Sequence, residues 1–162
     1  MGFFSKIFNP EIPHRKFAIE AKEICTSLQR TNLESNLSEI TKHNLEYIIK
    51  RRISFRVDLV NFLLNTYEKS HPNSDAGAAL GCFFQIISDE YLLLPENIKP
   101  DDYPGSIYPS IEDIVIKFIK SINSQPDNTA TEFIKLYYME QINIITRHFK
   151  DNCKKIGLIH ER

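Results

Sequence analysis

The stretch Ala76-Gly77-Ala78-Ala79-Leu80-Gly81-Cys82-Phe83-Phe84-Gln85-Ile86-Ile87-Ser88-Asp89-Glu90-Tyr91 decides how the chain reads. It holds no proline, and its apolar residues fall on most sides of a helical wheel, among them Ala76, Ala79, Leu80, Phe83, Phe84, Ile86 and Ile87. All-round apolarity marks a helix buried among others. The uncharged part, Ala76 to Ser88, is shorter than the ~20 residues that cross a bilayer. The stretch Ala76–Leu94 is therefore expected at the centre of a helical bundle. Gly77, Ala78, Ala79 and Gly81 carry little bulk and should let another helix come close. Ser74 or Asp75, just after the break at His71-Pro72-Asn73-Ser74, is placed to cap it.

The flanks read with the same period. Phe17, Ala21, Ile24, Cys25 and Leu28 recur at three- and four-residue spacings between His14 and Gln29, with Pro13 suited to a first turn. A helix is expected from Ser35, carrying Leu37, Ile40, Thr41, Asn44, Leu45, Ile48 and Ile49. Val57, Val60, Leu63, Leu64 and Tyr67 continue it, and one bent helix or two both fit residues 35–69. Ser110, with Asp113 three residues on, opens a helix lined by Ile111, Ile114, Val115, Phe118, Ile119 and Ile122. Gln125-Pro126-Asp127-Asn128 reads as a turn, and Thr129 with Glu132 as a capping box. The last helix carries Phe133, Leu136, Tyr137, Ile144, Ile145, His148 and Phe149, with Gly157 expected as its left-handed cap. The expectation is an all-α single-domain bundle of about six helices over residues 14–162, preceded by an apolar N-terminal segment, residues 1–13.

Four of the eight prolines lie between Pro95 and Pro109, with Asp101, Asp102 and Gly105 among them. Proline restricts both itself and its predecessor, so this is read as an ordered loop. Tyr91, Pro95, Ile98, Pro100, Asp101 and Pro104 form a pattern that resembles the signature of the YkvA-like family. Those are small helical bacterial proteins of unknown function. The resemblance covers residues 76–118, with Asn97 where the family prefers Asp and Glu112-Asp113 displaced from the family's acidic pair. It implies a helix–proline loop–helix hairpin and, for some relatives, a membrane-associated role.

Composition narrows the function. The 162 residues carry 20 Lys and Arg against 21 Asp and Glu, a net charge of −1, with five Gly. That balance gives no pull toward nucleic acid, and so few glycines disfavour a phosphate-cradling loop. Cys25, Cys82 and Cys153 are odd in number, widely spaced and without a CxxC pair, so they read as buried reduced thiols in a cytoplasmic protein. Glu68-x-x-His71 is one half of a helical di-metal motif with no second copy. Glu39 and His43 are one turn apart and read as a surface pair. His148 falls on an apolar stripe and reads as a core histidine. No nucleophile with a base and an orienting acid stands out.

The candidate partner-binding residues are the basic stretch Lys50, Arg51, Arg52 and Arg56, with Asp101, Asp102, Tyr103 and Tyr108 of the proline loop. The basic stretch has two other readings, a solvated face paired with Glu46 and Asp58, and a phosphate- or nucleic-acid-binding patch. The function expected is a non-enzymatic protein-binding module without a cofactor, neutralising a toxin or regulating an effector. The alternatives are a peripheral membrane protein docked through Met1–Phe8, and a metal-dependent enzyme using Asp89, Glu90, Asp101, Asp102, Glu112 and Asp113.

Overall fold

The computed structural model describes residues 12–36, 45–100, 106–122 and 128–157. Seven helices run through them in chain order: α1 Pro13–Thr26, α2 Asn32–Ser35, α3 Leu45–Ser70, α4 Ala76–Leu93, α5 Ile111–Ile122, α6 Asn128–Asn152 and α7 Lys154–Gly157. No strand occurs among the described residues. They form one all-helical bundle around one main core. Met1–Phe8, Glu39, His43, Asp101, Asp102, Tyr103, Gly105 and the Gln125–Asp127 turn lie outside the described residues.

Helix α3 is the axis of the bundle. Its 26 residues run unbroken, about 39 Å at 1.5 Å per residue, which settles residues 45–69 as one helix. It packs against α1, α4, α5 and α6. Ile53, Phe55, Val57, Leu59, Val60 and Leu64 are buried along it, and so are Arg52, Arg56, Asp58 and Asn61. The expectation of a central Ala76–Leu94 helix is corrected: α4 packs chiefly on α1, and its Ala78, Gly81 and Gln85 face outward. Its small residues do bring a neighbour close, since Ala76 and Ala79 are buried in the same cluster as Ala18 and Ala21 of α1. Exposing alanine or glycine costs little, so α4 can be rich in apolar residues without being surrounded.

The helix ends follow local chemistry. Pro13 opens α1, where its missing N–H has no partner to lose. Ser110 Oγ accepts the Asp113 N–H and donates to its carboxylate, as the spacing predicts. Ser74 Oγ accepts the Ala76 N–H at the start of α4. Two expectations fail. Thr129 lies inside α6, which is already running at Asn128. Gly157 stays helical, with no positive φ at any described glycine.

The proline loop is seated from its first half. Ile98 is buried against Ile49 and Ile53 with Leu94 beside them, and the Tyr91 hydroxyl donates to the Pro100 carbonyl at 2.6 Å. Tyr91, Ile98 and Pro100 thus have packing roles. Among the described residues no helix is long and apolar enough to cross a membrane.

Candidate functional site

The basic stretch does not form one surface. Arg52 and Arg56 stand four residues apart on α3 and turn into the protein, 0% and 3% exposed. Arg52 donates to Ser27 O, and Arg56 Nη1 donates to Ile24 O at 2.7 Å. Those carbonyls lie at the end of α1, which carries no basic residue in its own last turn. Two cations from another helix therefore satisfy the negative end of α1. Both residues, expected to contact a partner, thus have their side chains inside the bundle. Lys50 and Arg51 are half-buried, and Arg51 lies over the Tyr47 ring at 4.7 Å. Asp58 pairs with Lys117 of α5 at 2.8 Å rather than with the stretch. Tyr108 is half-buried, with the Lys117 ammonium 5.3 Å from its ring centre.

Arg52 meets Glu34, which is 1% exposed. Nη1 of Arg52 donates to both carboxylate oxygens, at 2.5 and 2.7 Å. The Tyr137 hydroxyl donates to the same carboxylate at 2.5 Å, and the Thr31 N–H does so at 3.0 Å. The Glu34 N–H returns a bond to Thr31 Oγ1, completing a capping box on the short α2. A buried carboxylate with four such bonds is fully satisfied, the condition under which burying a charge is tolerable. Burial and then the Glu34 charge raise the Tyr137 hydroxyl well above its usual value, so it stays a donor. Burial, with the Arg52 charge second, lowers Arg56 to about 10, still protonated at neutral pH.

Thr31 of this network also lines an open groove of about 740 Å³ between the Ser27–Leu33 segment and α6. Glu140 ties the two sides together: it accepts from Thr31 Oγ1 at 2.7 Å and from the Leu33 N–H at 3.4 Å. Arg56 lines the floor, its Nε held by Gln141 at 2.6 Å. Leu136 and Met139 line the α6 side, yet they are 54% and 47% exposed, and Leu28 next to the rim is 54% exposed. Arg30 and Arg147 line it as well, exposed and with no ion pair among the described residues. The face of α6 that turns inward carries Ile134, Tyr137, Gln141 and Ile145, so Leu136 leaves the stripe expected for it.

The groove was not legible as a site in the sequence. One signal for the adjoining buried network is present, Thr31 followed three residues later by Glu34. Of the residues expected to bind a partner, Arg56 alone lines the groove; Asp101, Asp102 and Tyr103 are outside the described residues.

The remaining chemistry is sparse. Cys25 is buried, Cys82 and Cys153 are half-buried, and all three are free thiols. His148 is half-buried against Phe17, and burial lowers its pKa. Among the described residues no group of three or more His, Cys, Asp or Glu gathers to hold a metal ion. Comparison with known proteins finds no matching family model, no matching curated protein and no matching solved structure.

Proposed function

We propose that this protein is a non-enzymatic protein-binding module that works through the groove between the Ser27–Leu33 segment and α6. One observation carries the reading: exposed Leu136 and Met139 share one groove with exposed Arg30 and Arg147, which have no ion pair among the described residues. Exposed apolar side chains gathered in a concavity and rimmed by charge are the usual composition of a recognition surface. The biological setting we favour is neutralisation of a toxin or regulation of an effector, by a small bacterial module related to the YkvA-like proteins. Three unpaired cysteines suit a reducing compartment, and we place the module in the cytoplasm.

The test is affinity capture of the tagged full chain from the cells that make it, repeated with Leu136→Asp. A partner so found is remade, and its binding to the purified chain is measured by calorimetry. The reading expects saturable binding that the Leu136→Asp chain loses. A partner held equally by both chains rejects the groove, and the absence of any saturable partner rejects the module.

A further inference from the structure

The face of α6 that lines the groove is set out in helical steps. Leu136, Met139, Glu140, Asn143, Ile144 and Arg147 are separated by threes and fours, a straight strip of three turns, about 16 Å long. An occupant must match that strip in shape, in polarity and in backbone chemistry.

The backbone decides shape. An extended segment needs partners for its own N–H and C=O groups, which a sheet edge supplies by strand addition. Among the described residues there is no sheet, and the α6 wall has its backbone groups bonded within the helix. A helix brings its backbone hydrogen bonds with it and needs only side-chain contact.

Charge decides polarity. Among the described residues that line the groove, the acidic one is Glu140, and it is already engaged by Thr31, Leu33 and Gln141. Arg30 and Arg147 have no ion pair among the described residues, and buried Arg56 on the floor adds a third positive charge. The surplus is positive. Leu136 and Met139 supply apolar contact in the same groove, Met139 with a side chain that adapts to irregular surfaces.

We propose that the groove receives an acidic amphipathic helix of a partner protein, its apolar stripe along Leu136, Met139 and Ile144 and its carboxylates on Arg30 and Arg147. This rests on the protein-binding reading above and adds the chemistry of the occupant. Arg147 stands eight residues beyond Met139 on the strip, so acidic residues belong at one end of the incoming helix as well as beside its apolar stripe.

The probe is a fluorescein-labelled peptide of about 18 residues, with Leu at helical spacings and Glu on both flanks. A control carries Lys in place of every Glu. Both are titrated with the intact protein and followed by anisotropy at low salt. The Glu peptide should bind at least about tenfold tighter than the Lys peptide, and added salt should weaken it. Arg30→Glu with Arg147→Glu should reverse the preference. Leu136→Asp should weaken the Glu peptide about tenfold or more. Each altered side chain is exposed, and circular dichroism checks that each variant keeps its helices. Equal binding of the two peptides, preference for the Lys peptide, or indifference to both sets of substitutions overturns the proposal. Vesicles containing anionic lipid form a further arm: arginine-dependent binding to them without binding of the Glu peptide also overturns it. If calorimetry finds a Leu136-dependent partner while the Glu peptide fails, the occupant is wrong and the module reading stands.

Discussion

Arg52 and Glu34 form a fully buried ion pair, with neither side chain exposed and one guanidinium nitrogen bonded to both carboxylate oxygens. The pair joins α3 to α2 across 18 residues of sequence, and Tyr137 of α6 adds its hydroxyl to the same carboxylate. Three helices thus converge on one buried charge.

Removing one partner leaves the other charge buried without compensation. Glu34→Ala should therefore destabilise the fold by about 3–5 kcal/mol in urea titrations. Tyr137→Phe removes one hydrogen bond to a charged group and should cost about 1.5–3 kcal/mol. The pair of substitutions Glu34→Leu with Arg52→Met should cost less than Glu34→Ala alone, because no charge is stranded. Equal losses in all three would mean that packing, not charge satisfaction, sets the energy of this region.

Asp58 gives the stability a pH dependence of unusual sign for a carboxylate. Burial raises it to about 6 despite the opposing hydrogen bond and charge of Lys117. The folded value lies above the unfolded one, so the folded chain holds the proton more tightly. The stabilisation is fully present below about pH 4 and is lost as pH rises through about 6. A difference of about two pH units corresponds to about 3 kcal/mol. Lys117, raised by Asp58 against its own burial, titrates far above this window. Asp58→Asn should flatten the slope between pH 4 and 7, read from urea midpoints at several pH values. The burial-lowered His148 contributes the opposite slope near neutrality, and it cancels in the comparison of the two chains. Parallel slopes for wild type and variant would rule Asp58 out.

Gly157 is needed for space. A Cβ there would collide with the Tyr67 hydroxyl, whose ring is stacked on His71 at 4.2 Å and edge-on to Phe149. A rigid, packed ring cannot swing away as a lysine end could. Gly157→Ala should lower stability by about 1–3 kcal/mol, although alanine favours helix. Adding Tyr67→Phe removes the colliding atom and should recover most of the loss in thermal melts. A Gly157→Ala chain as stable as wild type would show that the ring yields.

The three thiols should separate by reactivity. Burial pushes the Cys25 thiol up to about 12, and it is closed to reagent. Cys82 and Cys153 are half-buried. In a native-state assay with a thiol-specific chromogenic disulfide, Cys82 and Cys153 should react first, and Cys25 at the rate of unfolding. Prompt reaction at Cys25 would reveal an opening between α1 and α3 that the packing does not suggest.

Local rules carried much of the architecture. Helical periodicity located α1, α3, α4, α5 and α6, because an apolar stripe at spacings of three and four is set by the chain's own geometry. Pro13 and Ser110 marked helix starts, since capping is decided by residues within one turn. The concentration of prolines between Pro95 and Pro109 marked the connection between α4 and α5.

What only the tertiary structure decided was which polar residues are inside. Arg52, Arg56, Asp58 and Asn61 are polar residues on more than one side of α3, yet all four are buried. Burial of a charge depends on partners far away in the chain, Glu34, Gln141, Lys117 and the end of α1. No local pattern encodes those distances. The same limit hid the groove: Leu136 shares the helical spacing of core residues, and only the packing of α6 on α3 turns Tyr137 and Gln141 inward and leaves Leu136 out. Periodicity says that a helix has an apolar face; the three-dimensional arrangement of its neighbours says which part of that face remains uncovered.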